Sequence, residues 1–278
     1  MHQNQTSNKK TSSASQRLTS QNYYSNEMDW QFQSPTWFKK FQACEAEALA
    51  ELKGDWQPTS NPTALLVGNY VHSYFESAES HQTFLDENAA SIFKKNGEPR
   101  SEFVQADAMI ATLDRDDYFH QLYQGDKEVM ITGEIDGVTW KGKLDDFPPS
   151  HKYFADIKTT QDLHKRFWLS DDRRWGSFIE AYNYPLQMAV YQELIRQQYG
   201  VKPPPIIIGV TKQDPPDHDF ISIPQELLDY AMQEVLDNQA CVEAVKTGQE
   251  EPTRCEHCEY CRATKVVTKL TSVYDLVD

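Results

Sequence analysis

The sequence predicts a mixed α/β domain with a central mixed β-sheet flanked by helices and a cysteine cluster near its C-terminus. Apolar residues recur every three or four positions over much of residues 37–123, which indicates helices. Three short segments between residues 128 and 160 are instead rich in β-branched and aromatic residues, which indicates strands. A helix, one more apolar strand and a last helix follow. This order is typical of a sheet with helices on both faces.

Length and composition define the organisation of the chain. With 278 residues, 39% of them hydrophobic, it is long enough for one large domain. Residues 1–27 are rich in Ser, Gln, Asn, Thr and Lys, so we predict a disordered polar tail there and a folded domain over residues 28–278. The N-terminus lacks the apolar segment of a secretory signal, and no apolar run approaches the roughly 18 residues of a membrane span. We therefore expect a cytoplasmic protein with no membrane partner.

The charge balance bears on which partners the protein can bind. The formal net charge is −15, from 27 Lys and Arg against 42 Asp and Glu. This is the opposite of the balance in a protein that coats nucleic acid, so a polyanion would have to meet a local basic patch or a bound metal. The tail is slightly basic, which leaves a weak DNA-tethering role open.

Helices are expected on both sides of the strand region. Apolar spacing predicts one helix over residues 37–52, with Cys44 on its apolar stripe, and another over residues 64–77, which carries His72. Residues 81–123 should form two or more further helices with a break near residue 98. Residues 177–199 are expected to form one helix, and residues 223–248 a final long helix in which Cys241 is buried.

The strands are predicted to form an antiparallel meander over residues 128–134, 138–146 and 152–160. Asp136-Gly137 is a hairpin-turn dipeptide, and residues 147–151 supply the second turn. Residues 203–212 should add a buried strand.

The third strand of the meander carries the sharpest chemical feature, the segment Asp156-Ile157-Lys158. Alternation along a strand puts Asp156 and Lys158 on one face, while Ile157 packs on the other. Asp145 on the preceding strand can reach the same point, so two carboxylates could hold Mg²⁺ or Mn²⁺ beside a free lysine. Metal, carboxylates and lysine together suit phosphodiester hydrolysis. Alone, however, a D-x-K segment is more often a salt-bridged strand end.

Several motifs, taken in their order along the chain, favour a catalytic site over a salt-bridged strand end. Together they resemble the PD-(D/E)XK nuclease superfamily. The resemblance is closest to the branch that contains RecB-type nuclease domains and phage RecE-like exonucleases, and it covers residues 34–265. The matching segments are Gly68-Asn69-Tyr70-Val71-His72, Gly142-Lys143-Leu144-Asp145, Asp156-Ile157-Lys158-Thr159-Thr160, and Gln187 with Tyr191 in a Q-x-x-x-Y helix.

The resemblance implies a restriction-endonuclease-like core and a Mg²⁺-dependent exonuclease that degrades DNA from duplex ends, 5′ to 3′, in the cytosol of a bacterial host. It implies that His72, Asp145 and Asp156 hold the metal and that Lys158 positions water or stabilises charge, with Gln187 and Tyr191 in support. It also implies a single-stranded product, phage-type recombination with a single-strand annealing protein, and a homo-oligomer. Two alternatives stay open: a catalytically inactive DNA-binding or assembly module, and a metal-stapled interaction protein.

Other acidic residues compete with Asp145 for a place in the site. Asp136 also follows a G-x-x-D pattern, but it precedes Gly137 in a turn, so we favour Asp145. Asp146 and Glu128 are candidates for outer metal contacts. The motif's proline is replaced by Leu144.

Residues 159–175 combine basic and aromatic side chains and follow the candidate site directly. Such a segment can grip phosphates and stack on unpaired bases, although a solvated loop with anchoring tryptophans is the simpler interpretation. The side chains concerned are Lys165, Arg166, Phe167, Trp168, Arg173, Arg174 and Trp175.

Three cysteines at two-residue intervals, Cys255, Cys258 and Cys261, indicate a metal site rather than disulfides. Cys44 and His257 are the candidates for the fourth ligand, and a plain buried thiol is the alternative for Cys44. Some RecB-like nucleases carry an iron–sulfur cluster with one cysteine before the nuclease core and three after it, a layout that Cys44 and the C-terminal trio resemble. A [4Fe–4S] cluster is therefore expected, with zinc or free thiols as alternatives.

Overall fold

The structure, a computed structural model, describes residues 17–59, 63–170 and 172–276. Residues 1–16 of the predicted polar tail lie outside the described residues. The rest of that segment packs on the body: Tyr23 is buried, its carbonyl accepts a hydrogen bond from Lys141 Nζ at 2.6 Å, and the first helix begins at Asn26. The described fold therefore starts before residue 28, the predicted boundary.

The helices begin and end at residues with recognisable capping chemistry. The Ser34 hydroxyl accepts from the Trp37 amide at 3.3 Å ahead of Pro35, and Gly54 ends a helix in the left-handed conformation at φ 77°. The described helices are α1 Asn26–Gln31, α2 Pro35–Ala43, α3 Glu45–Lys53, α4 Thr63–Glu76, α5 Ala78–Glu87, α6 Ala89–Ile92, α7 Ser101–Asp114, α8 Asp117–Leu122, α9 Phe178–Ala181, α10 Tyr184–Tyr199, α11 Gln225–Lys246 and α12 Glu259–Ala263, with a 3₁₀ turn at Val273–Leu276.

The single helix predicted over residues 37–52 is wrong, because the chain breaks at Cys44. Cys44 is extended, with φ −165° and ψ 108°, and it ends α2 and starts α3. Both helices present apolar faces to the same core, so the periodicity runs through the break without a visible interruption. The predicted helix over residues 177–199 is likewise two helices. Asn183, left-handed at φ 47°, separates α9 from α10, and Pro185 lies in the first turn of α10, where its missing N–H costs no helical hydrogen bond.

The sheet confirms the predicted meander and adds two strands to it. Its order is β1-β2-β3-β6-β7, with β3 and β6 parallel and the other neighbours antiparallel. Asp136 and Gly137, both at positive φ, form the tight turn between β1 and β2. A separate hairpin joins β4 and β5. The strands are β1 Asp126–Ile135, β2 Val138–Phe147, β3 Phe154–Thr160, β4 Phe167–Leu169, β5 Arg174–Gly176, β6 Pro205–Thr211 and β7 His218–Ser222.

Helices cover both faces of the sheet, as the mixed α/β prediction requires. One buried cluster packs α2, α3, α10 and α11 against the sheet. A second cluster packs α4, α7 and α8 against the other face, where Ala155 and Ile157 of β3 are fully buried. Along residues 17–59, 63–170 and 172–276, none of the helices combines the length and apolar character needed to cross a membrane. The two clusters hold α4 and α10 on opposite sides of β3.

Candidate active site

An open cleft of about 1270 Å³ lies where β2 and β3 meet α4 and α10. It brings together side chains that are far apart in the sequence. Its lining includes five of the six residues that the motifs single out, and the sixth, Asp156, is 2% exposed and bonded to two of them. The five are His72, Asp145, Lys158, Gln187 and Tyr191.

His72 and Asp145 form one half of the site. His72 Nδ1 lies 3.1 Å from Asp145 Oδ2, which also accepts a hydrogen bond from the Ile157 amide at 2.8 Å. Asp145, on β2, thus contacts both His72 of α4 and the backbone of β3. Burial raises the pKa of Asp145, but His72 and Lys158 outweigh it and hold that pKa at about 2. Burial lowers the pKa of His72, yet the Asp145 carboxylate dominates and raises it.

Asp156, Lys158 and Gln187 form the other half. Asp156 Oδ2 accepts from Lys158 Nζ, and Asp156 Oδ1 accepts from Gln187 Nε2 at 3.0 Å. Burial and the neighbouring Asp145 carboxylate raise the pKa of Asp156 to about 6, against the opposing effect of Lys158. Burial lowers the pKa of Lys158, but Asp156 and Asp145 outweigh it and raise that pKa, so the ammonium is charged at neutral pH. The site thus consists of two polar groups, one around Asp145 on β2 and the other around Asp156 on the neighbouring β3.

Gln187 and Tyr191 lie one turn apart on α10, as the Q-x-x-x-Y spacing predicts. Gln187 Nε2 donates a hydrogen bond to Asp156 Oδ1 and lies 3.2 Å from the Tyr191 hydroxyl. Gln187 therefore positions the Asp156 carboxylate and not the Lys158 ammonium. Tyr191 is 7% exposed, and a Cβ added at Gly142 would come within 2.7 Å of its ring. The glycine before Asp145 therefore makes room for the tyrosine that supports Gln187.

The competing acidic residues lie in three different places. Asp136 stands in the β1–β2 turn. Asp146 points into the body, where Oδ1 accepts from Lys127 Nζ at 2.5 Å and from the Gly125 amide at 2.7 Å. Glu128 does line the cleft, where it pairs with Lys143.

The structure adds residues that the motifs did not indicate. Lys158 Nζ lies 5.1 Å from the centre of the Tyr184 ring, which lines the cleft. Lys39 Nζ lies over the same ring at 5.5 Å, and burial, with Lys158, lowers the pKa of Lys39 to about 8. Tyr184 precedes Gln187 by three residues, so helical spacing could have placed it on the same face. Lys39 carries no sequence signal of this kind.

The four cysteines predicted to bind metal do come together. Their Sγ atoms all lie within 4.8 Å of one another, with Cys44 at 3.6 Å and Cys255 at 3.9 Å from Cys261. Cys44, rather than His257, completes this group within the described residues, and the four thiols could hold a metal ion. The break between α2 and α3 is what places Cys44 at the cluster, so its predicted position on a helical stripe is wrong.

The environment of the cysteines favours thiolates at part of the cluster. The Cys258 amide donates to Cys255 Sγ at 3.2 Å and the Cys261 amide donates to Cys258 Sγ at 3.3 Å. Burial raises the pKa of Cys255, but the amides of Cys258 and His257 outweigh it and lower that pKa to about 6. Cys241, predicted to be buried, is exposed on α11 and points to Glu45. The wide apolar stripe of α11 did not show which edge faces solvent.

The chain resembles known proteins both in sequence and in fold. Residues 34–264 match the family described as a PDDEXK-like domain of unknown function. The solved structure of a candidate exonuclease from Eubacterium rectale is 38% identical, with a TM-score of 0.88 over 95% of this chain and 99% of that one. A second solved structure, SSO0001, has 15% identity and a TM-score of 0.32 over 77% of this chain and 100% of that one, which is too little likeness to carry weight. The curated proteins gave no match.

Proposed function

Because this chain belongs to the PDDEXK-like domain family, and with it to the PD-(D/E)XK nuclease superfamily, we propose that it is a nuclease that hydrolyses phosphodiester bonds in DNA. The observation that carries the proposal is the meeting of His72, Asp145 and Lys158 in one open cleft, with the buried Asp156 paired to Lys158. The 38% identity to the candidate exonuclease from Eubacterium rectale supports the same activity.

The donor groups at the cleft and next to it are of the kinds that bind a divalent cation. The Asp145 carboxylate at the cleft helps raise the pKa of the buried Asp156, so a cation bound close to both would relieve their repulsion. Asp145, Asp156 and His72 offer carboxylate oxygen and imidazole nitrogen, a set suited to Mg²⁺ or Mn²⁺. Once bound, the cation would neutralise charge on the phosphoryl oxygens and make a bound water more acidic.

The protein's own groups would do the remaining work. Lys158 is 15% exposed at its side chain, and Asp156 holds its ammonium at the cleft. Its charge can therefore stabilise the phosphoryl oxygens or orient the attacking water. Gln187 fixes the Asp156 carboxylate, and Tyr191 fixes Gln187 in turn. The contact with Asp145 orients the imidazole of His72, which lines the same cleft as Lys158.

We further propose that this nuclease is an exonuclease that acts at duplex ends, from 5′ to 3′, in phage-type recombination with a single-strand annealing protein. It rests on the motif resemblance to RecE-like enzymes and on the description of the Eubacterium rectale protein as a candidate exonuclease. A homo-oligomer belongs to the same proposal.

Degradation of linear duplex and of covalently closed circular DNA, in Mg²⁺ or EDTA, tests these assignments. The wild type should degrade only the linear form and only with Mg²⁺. Lys158→Ala should abolish the activity, while Lys202→Ala, which removes an exposed lysine paired with Asp229, should leave it intact. If the wild type binds both DNAs and cleaves neither, the protein is an inactive DNA-binding module and the proposed function fails.

For the cysteine cluster we propose a structural metal, and the sulfur spacing favours a single ion. Thiolates about 2.3 Å from a tetrahedral zinc lie about 3.8 Å from one another. Cys44 and Cys261 are 3.6 Å apart and Cys255 and Cys261 are 3.9 Å apart. In a [4Fe–4S] cluster each thiolate binds a different iron, which spreads the sulfurs wider. Elemental analysis of anaerobically purified protein should find about one zinc per chain, and four irons with sulfide would contradict the single ion.

A further inference from the structure

The hairpin formed by β4 and β5 presents two large aromatic side chains to solvent. Trp168 and Trp175 pair directly across the hairpin, with ring centres 5.5 Å apart, and are 52% and 55% exposed. Tryptophan is among the side chains that gain most from burial, so two exposed neighbours indicate a binding surface.

The opposite face of the hairpin is anchored to the domain. The Phe167 ring packs 5.6 Å from the Tyr182 ring, and Phe167 also lies against the main core. A Cβ added at Gly176 would come within 2.5 Å of the Leu169 side chain, so the two strands are in close contact. The tryptophans are therefore exposed on a packed element whose other face is committed to the core.

Cations on this hairpin lie beside aromatic rings. The Arg166 guanidinium lies 5.3 Å from the centre of the Trp175 ring, and Lys165 Nζ lies 5.2 Å from the centre of the Phe167 ring. Arg174 differs, because Asp172 at 3.0 Å and Glu180 at 2.7 Å hold it. In a chain of net charge −15, Lys165 and Arg166 form a local basic strip, and Arg166 lies beside the exposed Trp175 ring.

The hairpin also borders the candidate active site. Lys165 Nζ donates to Gln161 Oε1 at 3.2 Å, and Gln161 lines the cleft. On its other side the Tyr182 ring lies 6.0 Å from the Tyr184 ring, which in turn lies beside Lys158. The hairpin thus adjoins the cleft that holds Lys158 through Gln161 and Tyr182, and Trp168 and Trp175 lie on its other, exposed face.

We propose that the β4–β5 hairpin binds the unpaired bases of a DNA single strand that enters or leaves this cleft. Trp168 and Trp175 stack on the bases, and Lys165 and Arg166 contact the phosphates. Bases expose their flat faces only when they are unpaired, so rings of this kind select single strands over duplexes. This inference rests on the proposed nuclease function, since it assigns the hairpin to a strand of the same substrate.

Binding of fluorescently labelled oligothymidylate, measured by anisotropy in EDTA, tests the inference. Each lost stacking partner should weaken binding roughly 5- to 150-fold, so Trp168→Ala with Trp175→Ala should weaken it at least about 25-fold. Replacement of both by Phe should restore most of the affinity. Tyr230→Ala removes another exposed ring, 70% accessible on α11, and should change nothing. Affinity for a blunt duplex of equal length should change less than affinity for the single strand.

Equal loss of single-strand and duplex binding, or unchanged single-strand binding, would overturn the inference. A change in sedimentation of the double variant in place of a binding defect would also overturn it, because the hairpin would then contact protein. Cleavage of linear duplex by the wild type is measured separately. If the wild type does not cleave linear duplex, the proposed nuclease function is refuted. If the wild type cleaves it and the Trp168→Ala, Trp175→Ala variant binds the single strand as well as the wild type does, only the role of the hairpin is refuted.

Discussion

Replacement of Cys44 by serine should strongly destabilise the metal-loaded protein. Cys44 is the one member of the cluster that lies before the sheet, and it is separated from Cys261 by 217 residues. Ligation therefore closes a loop that includes nearly the whole domain. Treating that closure as a cross-link, the chain-entropy relation gives about 5 kcal/mol at 25 °C for a loop of this length. Cys255→Ser removes a ligand too, but leaves the connection between Cys44 and the C-terminal segment possible.

Urea unfolding, followed by far-ultraviolet circular dichroism alongside the metal content per chain, measures the effect. The Cys44→Ser variant should lose metal and up to about 5 kcal/mol of its free energy of unfolding. Cys241→Ser provides the matched control, because Cys241 is exposed and lies outside the cluster, so metal content and midpoint should stay at wild-type values.

Unfolding of the metal-free proteins distinguishes the contribution of metal ligation to the free energy of unfolding from that of local packing at Cys44. After the metal is stripped, the wild type and the Cys44→Ser variant should unfold with nearly equal free energies, because the missing interaction is then missing in both. A Cys44→Ser variant that keeps its metal and unfolds at the wild-type urea concentration would refute the argument. So would a difference between the two proteins that persists in full without metal.

Three further substitutions test individual contacts. Gln187→Ala frees one oxygen of Asp156 and should lower the rate of DNA cleavage about 10- to 100-fold, with a normal urea midpoint; a normal rate would show that the contact is dispensable. Gly142→Ala crowds the Tyr191 ring and should reduce the free energy of unfolding by about 1–3 kcal/mol in urea, and no loss would mean that the ring shifts freely. Asp116→Ala removes the cap of α8 and should reduce it by about 1 kcal/mol at neutral pH. Because the contact with His218 and the hydrogen bond from the Phe119 amide lower the pKa of Asp116, that difference should shrink as the pH falls from 3.8 through this lowered pKa, and a constant difference would refute this cause.

Local rules were enough for the parts of the site that lie within one element. Alternation along β3 placed Asp156 and Lys158 on one face, where the structure pairs them. Helical spacing placed Gln187 and Tyr191 together on α10. Such patterns depend on neighbours within four residues, and the sequence states those neighbours directly.

Contacts between distant elements required the tertiary structure. The motifs named His72 and Asp145, but their 3.1 Å contact depends on how α4 packs against the sheet. The extended backbone at Cys44 interrupts no apolar period, since both adjoining helices face the same core. Periodicity likewise left open which edge of α11 faces solvent, and so misjudged Cys241.

The fold class, the meander and the chemical types gathered at the site could all be predicted, because they follow from residue type and spacing. The contacts between groups could not: that Gln187 holds Asp156, that Tyr184 lies beside Lys158, and that the tryptophan hairpin borders the cleft are known only from the structure. Packing of whole elements sets the distances between residues far apart in the chain, and no local period records that packing.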